Sequence, residues 1–271
     1  MDDFASLELS LVIPAKSVDG RFVQNIERAH EVLLGIFGDA AKYEIILVPN
    51  GVREGEPILG VAKELSERFP AVRSFIHEEP AGKGAALRTG FNKARGRKVF
   101  FTDADLPYDL KFFKDALQLL DNGVALVGGN RRFSGSRFDI PVELLNIAYS
   151  RHRLGLLFNQ VVRMLFPIKT RDTQAGIKGM TREFVSLAMS KQQCPGFLFD
   201  IEYFLVAIEN GFKTAEVPVT LYLNTEKSTV RLFRELVLSI YWLTTIWMKF
   251  KRGHYRLGAE STRPTLNPAG A

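Results

Sequence analysis

Cysteine is nearly absent: Cys194 stands alone among 271 residues. One thiol cannot close an internal disulfide or build a cysteine-rich metal site, and such usage suits a reducing compartment. No secretory leader is expected either, because Met1 to Leu9 carries Asp2, Asp3 and Glu8 and no apolar core behind a basic region. The expected location is therefore cytoplasmic. No internal repeat or low-complexity linker divides the chain, and neither zinc-finger spacing nor an aromatic RNA-binding signature occurs. The net charge of +6 then points to an anionic partner such as a phosphorylated substrate or a lipid headgroup, and away from nucleic acid. Long apolar runs are scarce too. Leu236 to Met248 is uncharged, but it spans roughly 20 Å as a helix against a hydrocarbon core of roughly 30 Å, so it should not cross a bilayer.

What is present is a core-forming 46% of hydrophobic residues, arranged as alternating short apolar runs and helical patterns. Leu9 to Pro14, Tyr43 to Val48, Val72 to His77 and Lys98 to Thr102 read as strands. Between them, Val23 to Ile36, Ile58 to Phe69 and Ala85 to Arg95 read as helices. Phe112 to Leu120, Ile147 to Phe166, Phe184 to Met189 and Ile201 to Glu209 add helices, Ala125 to Val127 a buried strand, and Ala215 to Leu223, which contains Pro218, an edge strand. Alternation of this kind implies an α/β fold with a mostly parallel central sheet and helices on both faces.

The chemistry is expected where the fourth strand ends. Asp103 and Asp105 stand at i and i+2 after Lys98 to Thr102, so their carboxylates point the same way and can grip one divalent cation at a strand's carboxyl end. A hard cation held by so few protein ligands fills its other positions with water and substrate phosphates, which indicates a nucleotide diphosphate. Gly82-Lys83-Gly84 opens a helix, and a helix amino terminus beside a cation is a phosphate seat, although the motif is not a Walker loop. Asp172 to Lys178, read as a loop between two helices, gathers an acid, an amide, a glycine turn and a base. Asp200 reads either as a helix cap or as a site carboxylate.

Together these stretches resemble an inverting glycosyltransferase of the GT-A fold, nearest the dolichyl-phosphate β-glucosyltransferase and dolichyl-phosphate mannose synthase group and its bacterial polyprenyl-phosphate relatives. The resemblance rests on Gly82 to Gly90, Asp103-Ala104-Asp105, Gly128 to Arg131, Arg171 to Lys178 and Phe199 to Glu202, in the family's order. It implies that Asp103 and Asp105 hold Mg²⁺ or Mn²⁺, and that Pro14, Ala15, Asn50, Lys83, Asp103 and Ala104 line the nucleotide. It further implies catalytic-site roles for Asp103, Asp105, Arg131, Arg151, Gln174, Lys178 and Asp200, with Arg131 and Arg151 seating the acceptor. The implied partners are a UDP- or GDP-hexose donor and a polyprenyl phosphate acceptor. At two places the chain departs from the family: Lys16-Ser17-Val18 replaces a usual Tyr-Asn-Glu stretch, and Pro49-Asn50-Gly51 replaces Asp-Asp-Gly. Those acids commonly contact base and ribose.

The expected organisation is a glycosyltransferase domain over residues 1–230, an amphipathic helix over 231–257 and a disordered tail over 258–271. Trp242, Trp247 and the flanking Lys249, Lys251 and Arg252 suit a helix lying in a membrane interface at the inner face, or one packed on the core or on a second subunit. The expected function is metal-dependent transfer of a hexose, glucose before mannose, to a polyprenyl phosphate. A sugar nucleotidyltransferase, suggested by Ile13-Pro14-Ala15-Lys16, and a non-catalytic nucleotide-sugar-binding protein are the alternatives.

Overall fold

The structure, a computed structural model, describes residues 7–78, 82–222 and 232–258. The expected domain boundary near residue 230 and, apart from Gly258, the expected tail 258–271 lie outside the described residues. In chain order the elements are β1 (Leu9–Ala15), α1 (Phe22–Phe37), β2 (Tyr43–Pro49), α2 (Pro57–Arg68), β3 (Val72–Ser74), α3 (Lys83–Lys93), β4 (Lys98–Thr102) and α4 (Lys111–Asp121). Then follow β5 (Leu126–Asn130), β6 (Arg137–Asp139), α5 (Leu145–Leu165), β7 (Ile177–Thr181), α6 (Arg182–Lys191), α7 (Phe199–Glu209), β8 (Thr214–Pro218), β9 (Thr220–Tyr222) and α8 (Leu232–Lys251).

Side-chain alternation in the strands makes two hydrophobic layers. Leu11, Ile13, Ile45, Leu47, Phe100 and Val127 pack with α1, α2 and α4 on one face. Val12, Ile46, Val48, Val99, Phe101 and Leu126 pack with α3, α6, α7 and α8 on the other. Local signals set the helix ends: Pro57 opens α2, Gly38 closes α1 in the left-handed conformation, and the Thr181 side chain accepts from Phe184 N to start α6.

The large sheet has the order β3-β2-β1-β4-β7-β5-β8. Pairs β3–β2, β2–β1, β1–β4 and β5–β8 are parallel, whereas β7 runs antiparallel to both β4 and β5. The expectation that Asp172 to Lys178 is wholly a loop between helices is corrected here, because Ile177 begins a strand in the middle of the sheet. Similarly, Ala215 to Leu223 is not one strand: β8 is the sheet edge, as expected, but after Val219 the chain pairs β9 with β6 in a separate two-stranded sheet.

Glycine fixes how close β7 comes to β4. Gly179 stands opposite Phe100, and a Cβ there would lie 2.4 Å from the ring. The ring fills that space and meets Phe112 and Phe113 edge-on at 6.3 and 5.6 Å. Phe100→Ala is expected to destabilise the fold by about 3–5 kcal/mol, read from urea denaturation. A loss under about 1 kcal/mol would mean that this layer repacks freely.

Candidate active site

Parallel strands deliver their carboxyl ends to one edge, and an antiparallel neighbour delivers its start there. Ala15, Asn50, Asp103, Asn130 and the 172–176 loop before β7 therefore meet at one rim of the sheet. The Asp103–Asp105 turn is closed by Leu106 N donating to Asp103 O at 3.1 Å and held from outside by Asn25 Nδ2 donating to Ala104 O at 3.0 Å. Leu106 adopts φ 41° and is 2% exposed. A left-handed leucine costs about 1–2 kcal/mol, offset here by burial of its side chain. This positive φ re-aims the chain immediately after Asp105.

Asp103 Oδ1 lies 2.5 Å from Lys83 Nζ. Its other oxygen lies against Gly176, where a Cβ would come within 2.0 Å of Oδ2 and 3.4 Å of Lys83 Nζ. Any side chain at position 176 would push the Asp103 carboxylate aside. Gly176 N donates to the Tyr108 hydroxyl at 3.0 Å, and burial raises the Tyr108 hydroxyl above its ordinary range. Sequence reasoning passed over Tyr108; its signal was a tyrosine in the turn leaving the paired aspartates, a position that reads equally well as core.

Electrostatics separate the two aspartates. Burial pulls the Lys83 ammonium down, but the charges of Asp103 and Asp200 overcome it, so the net shift is upward and Lys83 stays a cation. Asp105 is exposed as a residue, yet partial burial of its carboxylate and, with it, the nearby Asp103 charge push it up to about 6. A carboxylate disfavoured as a lone anion gains most from an added cation. Two carboxylates on one turn are too few ligands for a closed protein cage, and such a pair would hold a cation together with water or substrate oxygens.

Around this centre lie further buried charges. Asp172, 2% exposed, accepts from Arg131 N at 2.9 Å, Nε at 2.8 Å and Nη2 at 2.7 Å. Burial would raise its carboxyl, but those bonds hold it below the ordinary range. Arg131 is thus at the rim with two of its guanidinium nitrogens committed to Asp172. Lys178 is fully buried; its Nζ donates to Thr173 O at 3.0 Å and Ala175 O at 2.8 Å and lies 2.9 Å from Asp200 Oδ1. With its protons so used, Lys178 holds the 172–176 loop that carries Gln174. Asp200 sits in the first turn of α7, one residue inside the helix, and is that lysine's counter-ion rather than an N-cap.

Among the described residues, Gln174 Nε2, Thr173 Oγ1 and Asn50 Oδ1 are buried without a protein partner, which leaves them for a ligand or water. Pro14 and Ala15 end β1 beside Pro49 and Asn50, and Ala104 lies between the aspartates. The side chain of Arg151 lies outside the described residues. The reading of the α3 amino terminus as a phosphate seat is overturned: Gly84 N donates to Gly196 O at 3.2 Å and Ala85 N to Pro195 O at 3.0 Å. Protein carbonyls take those donors, so the lysine side chain, not the helix end, faces the site.

The sequence model of Glycosyl transferase family 2 matches residues 10–185. The glycosyltransferase AglD of Haloferax volcanii is 26% identical over 215 residues, covering 79% of this chain and 33% of that protein. A dolichyl-phosphate beta-glucosyltransferase of Drosophila melanogaster is 26% identical over 273 residues, covering 96% of this chain and 80% of that one. The chain thus spans a third of the archaeal relative and four-fifths of the insect one. Among solved structures, the mannosyltransferase PcManGT of Pyrobaculum calidifontis, in complex with GDP-Man and Mn²⁺, superposes with a TM-score of 0.55 at 18% identity, covering 92% of this chain and 66% of that one. That likeness is one of fold, and it agrees with the α/β architecture expected from the sequence.

Gly176→Ala places a methyl group where Asp103 Oδ2 now lies. A displacement of about 1 Å at a reacting centre costs about 100-fold in rate, so glycosyl transfer is expected to fall by about that factor while the melt stays cooperative. Transfer within about threefold of wild type would separate the Asp103 geometry from the chemistry.

Proposed function

The chain belongs to Glycosyl transferase family 2, and from that premise we propose that it moves a hexose from a nucleotide sugar to a membrane polyprenyl phosphate, inverting the anomeric carbon. The observation that carries this reading is the constellation of Lys83, Asp103 and Asp105 at the strand edge, with Lys83 Nζ 2.5 Å from Asp103 and Asp105 left open. The insect relative, whose acceptor is dolichyl phosphate, aligns along nearly the whole chain, which favours the same acceptor class, with glucose ahead of mannose.

The chemistry needs little from a general base. A phosphate monoester with a second pKa near 6 is largely dianionic at neutral pH. Its oxygen forms the new bond to the anomeric carbon as the bond to the nucleoside diphosphate breaks, and the departing diphosphate keeps the electron pair. Bound at Asp103 and Asp105, Mg²⁺ or Mn²⁺ would neutralise charge on that diphosphate. Lys83 adds a second positive charge on the same side. Gln174 is assigned a hydrogen bond to a sugar hydroxyl, a reading supported by its Nε2, which has no protein partner among the described residues. Arg131, oriented by Asp172, and Arg151 are assigned to the acceptor phosphate.

Peripheral contact with the inner face of a membrane belongs to the same proposal. Among the described residues no helix is long and apolar enough to cross a bilayer. Two helices are amphipathic in the required sense. On α8, Leu243 and Ile246 face the core while Val237, Ile240, Tyr241 and Trp247 are exposed, the first three above 50%. On α5, Tyr149, Leu157 and Met164 are exposed, and no acidic residue occurs between Leu145 and Leu165. Exposed apolar stripes with flanking cations match an anionic interface.

The enzymatic reading is tested by incubation with polyprenyl phosphate and either UDP-glucose or GDP-mannose, with Mn²⁺ or Mg²⁺, and mass spectrometry of the lipid. A hexosyl phospholipid is expected, reduced at least about 100-fold by Asp105→Asn. Wild-type product from a normally folded Asp105→Asn protein would sink the metal assignment, and no lipid product with any donor would sink the acceptor. The membrane reading has a separate test, because Trp242 and Trp247 are the only tryptophans. Anionic vesicles should blue-shift their emission, and added salt should weaken the effect. An unchanged spectrum, with no co-sedimentation, would leave both helices to protein contacts.

A further inference from the structure

Glu202 is fully buried, and its carboxylate accepts four hydrogen bonds. Its carboxylate accepts from Gln193 N at 2.9 and 3.1 Å, from Cys194 N at 2.8 Å and from the Tyr255 hydroxyl at 2.9 Å. The first three bonds fix the loop 192–196. That loop is the surface on which the Gly82-Lys83-Gly84 turn rests: Gly84 and Ala85 donate to the carbonyls of Gly196 and Pro195, and Gln192 Nε2 donates back to Gly84 O at 3.1 Å. Both glycines are required by the fit. Gly82 has φ 108° with Pro195 O 3.0 Å from where a Cβ would stand, and at Gly84 the carbonyls of Gly196 and Cys194 would be 2.8 and 2.9 Å away.

The fourth bond comes from beyond α8. Tyr255 is fully buried, and its neighbours are pinned with it: His254 Nε2 is 3.0 Å from Lys191 O, Asn210 Nδ2 donates to Tyr255 O at 2.7 Å, and Leu257 N donates to Asn210 Oδ1 at 2.8 Å. The carboxyl-terminal helix is therefore tied, through one hydroxyl and one carboxylate, to the platform beneath the lysine.

We propose that Glu202 is a positioning residue for Lys83, and that Tyr255 completes it, so that attachment of the segment after α8 sets the affinity of the site for nucleotide diphosphate. The inference rests on the reading of Lys83 as a cation for that diphosphate. Removing the hydroxyl leaves Glu202 with one donor fewer and frees the loop by a small amount, which Lys83 passes to the ligand. A bond of this kind, to a buried charge, is worth enough to shift the platform without unfolding it.

The test is a double-mutant cycle with Tyr255→Phe and Lys83→Ala, read as the Kd of UDP and of GDP in saturating Mn²⁺ by calorimetry. Tyr255→Phe is expected to weaken binding about tenfold, equivalent to about 1.4 kcal/mol, and to add less than about twofold once Lys83 is alanine. Glu202→Gln, which keeps shape but loses charge, should move in the same direction; if it does not fold, Tyr255→Phe decides alone. A full tenfold loss from Tyr255→Phe in the Lys83→Ala background would overturn the inference, as would a lowered melting temperature with unchanged Kd. Lys83→Ala binding both nucleotides like wild type would instead remove the diphosphate reading of Lys83, and the inference with it.

Discussion

The contact between Lys83 and Asp103 is the one on which the rim of the sheet converges. Three separate chain segments must arrive correctly for it to form. The turn after β4 must present Asp103, and it does so at the cost of a left-handed Leu106. The start of α3 must present Lys83, which requires Gly82 and Gly84 to lie against the 192–196 loop. The segment before β7 must pass without a side chain, which requires Gly176. None of these demands concerns a bound ligand. A site whose geometry is settled by packing is pre-organised, and little of the free energy of binding is then spent on ordering it.

Buried charge is the second theme, and its arrangement separates support from chemistry. Taking an ion pair out of water costs about as much as the pairing returns, so such pairs are weak evidence of stability. Here three of the buried charges organise loops around the site. Asp172 holds Arg131, Lys178 holds the carbonyls of Thr173 and Ala175, and Glu202 holds the amides of Gln193 and Cys194. Backbone groups in such tight turns have no strand or helix partner, and a charged side chain satisfies several at once. The partly exposed pair is Lys83 with Asp103, the one that on the proposed reading meets the ligand.

Much of the scaffold was legible because it obeys simple periods. The strands β1, β2 and β4 carry the apolar runs Leu11–Ile13, Ile45–Val48 and Val99–Phe101, and the paired aspartates directly follow one of them, so both the sheet and the edge proposed as the site could be read from spacing. β7 was not legible for a physical reason. Its sequence Ile177-Lys178-Gly179-Met180-Thr181 carries a lysine and a glycine, which argue against a central strand, yet the lysine is neutralised by Asp200 and the glycine makes room for Phe100. Both exceptions depend on residues distant in sequence. The same holds for the α3 amino terminus, whose free donors looked available until the 192–196 loop supplied carbonyls. Lys178 and Asp200 were each singled out from the sequence for separate reasons, and only tertiary contact reveals that each serves the other.

The replacement of Asp-Asp-Gly by Pro49-Asn50-Gly51 need not abolish recognition of a base. Asn50 stays at the end of β2, its N donating to Ala15 O at 2.8 Å and its Oδ1 buried without a protein partner among the described residues. An amide oxygen accepts a hydrogen bond from a ring N–H as a carboxylate does, though more weakly because it carries no charge. It also removes a negative charge from a rim that already holds Asp103 and Asp105 and that, on the proposed reading, must receive a diphosphate. Weaker pairing with the base is thus set against weaker repulsion of the phosphates. The Oδ1 acceptor favours any base that offers an N–H on its pairing edge, which uracil and guanine both do, so discrimination between them falls to neighbouring groups rather than to Asn50 alone.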